Sequence, residues 1–306
     1  MSRRSLGRFA LLLLAILGLG LLWAELGRPI DPDTSLQVIF LDVGQGDAVY
    51  IRSPEGHTVL IDGGRPARLV AGYLDDLGVT QLDLVIASHA DADHIGGLVE
   101  AIARFRPRFF MDNGVPHTTQ TYQRLLEAVD TAGSQYLEAS ERRLELGALT
   151  LQILPPPHFN DDQNDNSIGV VLSYGDFRAA FLGDATTRTQ RHWLRHYQAH
   201  LADLDLYKAA HHGARTGDTP EIMAALRPAM VVISVGANNT YGHPTRQALE
   251  SYASVGALIY RTDRQGHVSV VVEPDGNVTT LTGALSAQQA RWALALERLG
   301  DLLALF

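Results

Sequence analysis

Five times in this chain of 306 residues, a strand-length apolar run leads into a short segment rich in Gly, Asp and His. The segments are LIDGG with Asp62, SHADADHIGG with His89, Asp91, Asp93 and His94, FLGDA with Asp184, KAAHHGARTG with His211 and His212, and YGHPT with His243. Strand ends are where layered α/β proteins place their chemistry, in the crevice beyond the carboxyl ends of the strands. One such segment is an ordinary polar turn as readily as a site. Five of them, distributed between residues 60 and 245, argue for a fold that gathers distant strand ends in one place.

The rest of the sequence supplies the strands. Apolar runs occupy 36–41, 47–52, 57–62, 82–88, 150–154, 168–174, 177–183, 204–210, 230–235, 257–260 and 267–273. Nearly continuous runs such as LDLVIAS suit strands buried on both faces. Helical periodicity predicts helices over 67–77, stopped by Gly78, and over 95–105, 119–130, 187–200, 220–226 and 244–252. The strands fall into two groups interleaved with helices, and there is no short-period repeat. This is the pattern of an α/β protein with two mixed β-sheets and outer helices.

The two ends of the chain read differently. Arg3, Arg4 and Arg8 precede an uncharged apolar run from Phe9 to Ala24. Residues 1–28 are therefore expected to be a signal anchor or signal peptide, with the basic end left in the cytoplasm. Leu22-Trp23-Ala24 is a poor small-x-small cleavage site, which favours an uncleaved anchor although the run is shorter than the ~20 residues that span a bilayer comfortably. Everything from residue 31 would then face the periplasm or the cell exterior. Residues 29–35 form a short linker. In residues 284–306, Leu285, Trp292, Leu296, Leu299, Leu303 and Phe306 recur at helical spacing, which predicts a C-terminal amphipathic helix packed on its own domain. A dimer contact or a membrane surface is the alternative use of that stripe.

The cluster His89, Asp91, Asp93, His94 packs two imidazoles and two carboxylates into six positions. The chain has no cysteine, so any metal must be held by nitrogen and oxygen. Imidazole with carboxylate suits zinc, manganese or iron. Net charge is −9, and without the three arginines of residues 1–24 it is about −12. So acidic a domain is not a natural nonspecific binder of nucleic acid.

Taken together these motifs resemble the metallo-β-lactamase superfamily, whose hydrolases carry H-x-H-x-D-H, an earlier Asp, a later bridging Asp and a late His on an αββα sandwich. Here the signature reads H-A-D-A-D-H, so Asp91 replaces the second His. With FLDVGQGDA (40–48), NDNSIGVVL (164–172) and HHGARTG (211–217), the sequence is similar to the extracytoplasmic hydrolase domain of ComEC-type competence proteins over roughly residues 36–275. The resemblance implies a four-layer αββα sandwich spanning 36–283. It implies that His89 and Asp91 belong to one metal position and Asp93 and His94 to another, with Asp184 bridging. His212 completes the second, and His211 is the alternative ligand or a substrate contact. Asp62 matches the early Asp, which steadies a ligand from behind.

The superfamily's middle His is absent. Asn164, Asp165 and Asn166 stand in its place, which makes the first position oxygen-rich and leaves open one or two divalent metals, Zn²⁺ or Mn²⁺. Such a metal brings bound water from a pKa of 15.7 to about 7, and with Asp93 at the centre His243 would hold a phosphate or protonate the leaving group. A loop-packing role for His243, and a turn role for Asp47, are the alternatives.

The function expected is a metal-dependent phosphodiesterase or nuclease acting on a phosphoester, with single-stranded DNA as one candidate. Arg65 and Arg68, or Arg104, Arg106 and Arg108, are candidate groove residues. A small phosphoester or lipid-headgroup hydrolase, of choline-phosphate type, fits the low basicity. A non-catalytic envelope or competence binding module is the third reading. One candidate membrane segment makes no pore, so DNA uptake would need a separate channel protein.

Overall fold

A computed structural model describes residues 34–283 apart from 158 and 160. The expected anchor (1–28), most of the linker and the C-terminal helix (284–306) lie outside the described residues. Among the described residues no helix is long and apolar enough to cross a membrane.

In chain order the strands are β1 (Leu36–Phe40), β2 (Val49–Arg52), β3 (Thr58–Ile61), β4 (Leu84–Ile86), β5 (Phe109–Met111), β6 (Gln135–Tyr136), β7 (Arg142–Leu146), β8 (Leu149–Leu154), β9 (Gly169–Tyr174), β10 (Phe177–Phe181), β11 (Leu206–Lys208), β12 (Met230–Ile233), β13 (Leu258–Arg261), β14 (Val268–Val272) and β15 (Val278–Thr282). They form an eight-stranded sheet of order β15-β14-β1-β2-β3-β4-β5-β6 and a seven-stranded sheet of order β13-β12-β11-β10-β9-β8-β7. Both are mixed: β3 to β6 and β10 to β13 pair in parallel, and the remaining neighbours are antiparallel. Helices α1 (Leu69–Asp76), α2 (Ala92–Ile95), α3 (Leu98–Phe105) and α4 (Gln120–Ala132) follow strands of the first sheet. Helices α5 (Thr187–Leu201), α6 (Pro220–Leu226) and α7 (Arg246–Ser254) follow strands of the second, and α8 (Thr262–Gln265) is a single turn after β13.

Side-chain alternation makes the layers. In β1, Leu36, Val38 and Phe40 join a core shared by both sheets, while Ile39 packs on the other face. Facing them across the sandwich are Val170, Leu172, Ala179, Phe181 and Val232, with the Phe40 and Phe181 ring centroids 6.1 Å apart. A second core joins Leu60, Val85 and Phe110 to Leu74, Leu98, Ile102 and Leu125 of the helices. A third joins Val171, Ala180, Tyr207 and Val231 to Trp193, Met223 and Tyr252. This is the expected αββα sandwich of two mixed sheets. Strands buried on both faces explain the continuous apolar runs. Thr119, Thr186, Thr219 and Thr245 cap α4, α5, α6 and α7, each hydroxyl accepting a backbone N–H.

Two expectations are corrected. The helix read over 95–105 is broken into α2 and α3 at Gly96–Gly97. A Cβ on Gly96 would overlap the Arg65 carbonyl, and one on Gly97 the Gly63 carbonyl, so the chain after β3 crosses the helix where only glycine leaves room. Strands β5, β6, β7 and β15 carry no signal strong enough to be read beforehand. Three of these four lie at sheet edges, where polar residues such as Arg143 and Glu145 of β7 are exposed and protect an edge from further pairing.

Candidate metal centre

The parallel pairings set the site. They align the carboxyl ends of β3 and β4 in one sheet and of β10, β11 and β12 in the other, and the Asp/His segments begin there. Asp62 follows β3, the 88–94 segment follows β4, Asp184 follows β10, and His211–His212 follows β11. The β1–β2 loop reaches the same end. At Gly46 (φ 137°) a Cβ would overlap the Asp93 carbonyl oxygen, and that same oxygen accepts the Asp47 N–H at 3.1 Å.

Three imidazoles converge and all are buried: His89 and His94 at 1% and 0% exposure, His212 at 2%. Each has its Nδ1 committed. His94 Nδ1 donates to Asp62 Oδ2 at 2.9 Å, and His212 Nδ1 donates to the Ser234 carbonyl at 2.9 Å. Ser88 Oγ donates to Asp62 Oδ2 at 2.7 Å and lies 3.0 Å from His89 Nδ1, so it is the acceptor for that ring. The network thereby assigns Nδ1–H to all three and aims three Nε2 atoms inward. None of the three Nε2 atoms makes a hydrogen bond.

Carboxylates surround these orphan nitrogens. Asp184 Oδ2 lies 3.2 Å from His94 Nε2 and 3.3 Å from His212 Nε2. Asp93 Oδ2 lies 3.7 Å from His212 Nε2. His89, His94 and Asp184 offer atoms within 4.8 Å of one another, as do Asp93, His94 and His212. Buried nitrogens without partners, facing buried carboxylates, are costly unless something cationic joins them. The donor set fits one or two divalent metals, held by His94, His212, Asp93 and Asp184 with His89 beside them.

Without a cation, protons take that place. Burial disfavours the charged imidazole, but Asp184 and Asp62 outweigh it and hold His94 well above the usual imidazole range. Asp184 and Asp47 do the same for His212. Burial likewise opposes ionisation of Asp184, and the His212 and His94 charges push it well below the usual carboxylate range.

A layer behind the ligands holds them. Asp62 takes a left-handed backbone (φ 58°) and accepts the Ser88 N–H at 2.7 Å besides the bonds above. Asp47 Oδ1 lies 3.3 Å from His212 Nδ1, and its Oδ2 pairs with Lys208 Nζ. Lys208 is 2% exposed, lies 3.6 Å from Asp184 Oδ1 and donates to the Gly183 carbonyl at 2.9 Å. The turn at 211–213 has three successive left-handed residues, His211 (φ 49°), His212 (φ 54°) and Gly213 (φ 77°). The two histidines carry a strain of about 1–3 kcal/mol each. Buried Asp218 braces the turn: it accepts the Ala210 N–H at 3.0 Å, the Tyr207 and Tyr252 hydroxyls at 2.6 and 2.7 Å, and Gln190 Nε2 at 3.2 Å.

Other expected residues sit at the margin. Asp91 is 3.5 Å from His89 Nε2, with its side chain 41% exposed. Asn164 lines the cleft. Asp165 turns away, taking the Thr186 and Thr189 hydroxyls. Asn166 is fully buried, its carbonyl accepting Asn113 Nδ2 at 2.9 Å. His211 Nε2 stays 3.9 Å from Asp184 Oδ2, so His212 holds the inner place and His211 the wall. Burial, with the neighbouring imidazoles, pushes His243 down to about 4, so its ring is neutral near pH 7. It is suited to donating or accepting a hydrogen bond and not to acting as a charged acid.

These groups open on a cleft of about 300 Å³ lined by Arg65, Asp91, Asp93, Asn164, His211 and His243, among others. Of the candidate groove arginines, Arg65 is in the cleft, 3.8 Å from Asp93 Oδ1. Arg104 pairs with Asp75 at 2.7 Å, Arg108 with Asp83 at 3.5 Å, and Arg106 donates to the Ala132 carbonyl at 3.2 Å. Lys208 escaped the sequence reading. Its one signal is a lysine inside the apolar run LDLYKAA, where a charge survives only with a partner.

Among curated proteins the chain is similar to ComE operon protein 3 of Bacillus subtilis, 25% identical over 76% of this chain and 32% of that protein. It is similar to competence protein ComA of Neisseria gonorrhoeae, 29% identical over 84% and 36%, and to recombination protein 2 of Haemophilus influenzae, 28% identical over 82% and 30%. The chain thus spans about a third of the length of these relatives. In fold it resembles YhfI of Bacillus subtilis, a metallo-beta-lactamase fold protein, with a TM-score of 0.53 at 11% identity over 80% of this chain and 99% of that one. It also resembles Igni18, a metallo hydrolase of Ignicoccus hospitalis, with a TM-score of 0.50 at 19% identity over 80% and 98%. Residues 41–234 match the metallo-beta-lactamase superfamily, and with the sandwich and its strand-end centre in place, the chain belongs to that superfamily of metal-dependent hydrolases.

Proposed function

We propose that this chain hydrolyses phosphodiesters, with single-stranded DNA as the candidate natural substrate. The observation that carries the reading is the convergence of three unpartnered Nε2 atoms on buried Asp184 and half-buried Asp93 at a cleft whose wall holds the Arg65 guanidinium. The relatives named for competence and recombination support a DNA-related substrate.

A divalent metal at this centre supplies an activated water near neutral pH and a positive charge for a phosphoryl oxygen. The chain's own residues do the rest. Asp62, Ser88 and Ser234 keep the three rings in the tautomer that presents Nε2. Asp93 and Asp184 provide the opposing negative charge. Arg65 is placed to pair with a non-bridging phosphate oxygen, as a guanidinium does well. His243, neutral, offers a hydrogen bond to a phosphate or leaving oxygen.

A smaller phosphoester or lipid headgroup is the second reading, favoured by the acidic net charge and a cleft at the small end of ligand sites. The full chain with Mn²⁺ or Zn²⁺ should turn over bis-p-nitrophenyl phosphate. An oligodeoxynucleotide should then be cut in preference to p-nitrophenyl phosphorylcholine. The reverse preference supports the headgroup reading, and no turnover with any of them supports a binding module.

We also propose that the domain works outside the cytoplasm, held by residues 1–28, and that any passage of DNA across the membrane uses a separate channel protein. The Arg3, Arg4, Arg8 and Phe9–Ala24 pattern supports this. Protease added to intact spheroplasts should digest the domain, and full protection would contradict that placement.

A further inference from the structure

One ring at the cleft rim has no part in the chemistry above. Tyr241 lines the cleft and is 59% exposed. Its ring stacks on His243 with centroids 5.8 Å apart and planes 25° from parallel. The His243 ring lies 5.6 Å from that of His211 and 6.4 Å from that of His212. A row of rings therefore runs from the buried centre towards solvent, with Tyr241 outermost.

The loop carrying this ring is fixed. Asn239 Nδ2 donates to the Gly236 and His243 carbonyls at 3.0 and 2.7 Å, and Asn239 Oδ1 accepts the His243 N–H at 3.0 Å. One amide thus closes the loop on itself and holds the backbone on which the ring stands. The cleft also holds Arg65, its side chain 57% exposed. A guanidinium and an aromatic face beside one cation centre match the two parts of a nucleotide, an anionic diester and a flat base. At about 300 Å³ the cleft suits the phosphate, leaving the base at the rim where Tyr241 stands.

We infer that Tyr241 is a stacking platform for one unpaired nucleobase next to the phosphodiester, so that it selects single-stranded nucleic acid over duplex. The inference rests on the phosphodiesterase reading. A base in a duplex has both faces covered by its neighbours and offers none to the ring. Aromatic stacking of this kind tolerates any base and contributes to affinity mainly for single strands.

The test compares the full chain with Tyr241→Ala and Tyr241→Phe, using fluorescence anisotropy at low salt with Mn²⁺ present. The probes are a labelled hexathymidylate with phosphorothioate linkages and an abasic hexamer of the same linkages and charge. The parent should bind the base-bearing probe about fivefold or more tighter than the abasic one, the lower end of what base–aromatic stacking gives. Tyr241→Phe should keep that ratio, and Tyr241→Ala should bring it close to one. No preference in the parent, or a preference that survives Tyr241→Ala, overturns the inference; the latter is also the result if the ring serves a protein or lipid surface. Turnover of methyl p-nitrophenyl phosphate by the parent, which contains no base, tests the phosphodiesterase reading separately.

Discussion

The two halves of the metal centre are not equal. One half has Asp93, His94, His212 and Asp184, all drawn together, with His94 and His212 each fixed from behind by a hydrogen-bond acceptor. The other has His89, which shares His94 and Asp184 with the first, then Asp91 with its side chain 41% exposed and Asn164 at the cleft wall. The middle histidine of the superfamily pattern is missing from this second half, and Asp165 turns away to Thr186 and Thr189. The difference teaches that a four-ligand position can survive the thinning of its neighbour. The full half is assembled by three separate strand ends, those of β4, β10 and β11. Asp91 and Asn164 stand at the cleft wall beside it.

Substitutions should follow that inequality. Asp184→Asn or His212→Ala, in the full half, should cost more than about 100-fold in metal affinity and turnover, beyond the range seen on losing an outer partner. Isothermal titration with Mn²⁺ or Zn²⁺ and a phosphodiester assay read both. Lys208→Met should lower stability by about 3–5 kcal/mol, because it leaves Asp47 buried without its cation. Restoring much of that in the Lys208→Met, Asp47→Asn double variant, followed by urea denaturation, would show the pair to be the cause. Asp62→Asn, which loosens the His94 ring without removing a ligand, should cost about 10–100-fold in metal affinity. Asp91→Asn should cost less than about tenfold. A larger loss at Asp91 than at His212 would reverse the comparison.

Proton linkage sharpens it further. In the metal-free chain, His94 and His212 are held above the ordinary imidazole value of 6.5. Their charge stabilises the fold fully below that value, and the contribution is lost as pH rises through the raised values. Metal must displace those same protons, so affinity should climb over the same interval. The thermal midpoint of EDTA-treated protein should therefore fall as pH rises above about 6.5, while that of the metal-loaded protein should not. A stripped protein that gains stability over that range would contradict the assignment.

The same contrast governs what the sequence made legible. HADADH could be read because one strand end delivers four donors in six positions. Asp184 and His212 became ligands only by resemblance, since nothing local says that β10 and β11 end beside β4. Lys208 was hidden because a strand buried on both faces reads as apolar throughout, and its partner Asp47 lies far away in the chain. The turn at 164–166 could be placed, but not the rotation that gives Asp165 to the start of α5. The layers were legible from continuous apolar runs. The edge strands β6, β7 and β15 were not, because an edge is stabilised on one side only and tolerates polar residues.

Anomalous diffraction from crystals of the chain loaded with Mn²⁺ or Zn²⁺ tests the central claim most directly. The strongest peak should lie about 2.0–2.2 Å from His94 Nε2, His212 Nε2 and one oxygen each of Asp93 and Asp184, with any second peak weaker and beside His89. A strongest peak between His89 and Asp91, or none near the three Nε2 atoms, would contradict the account.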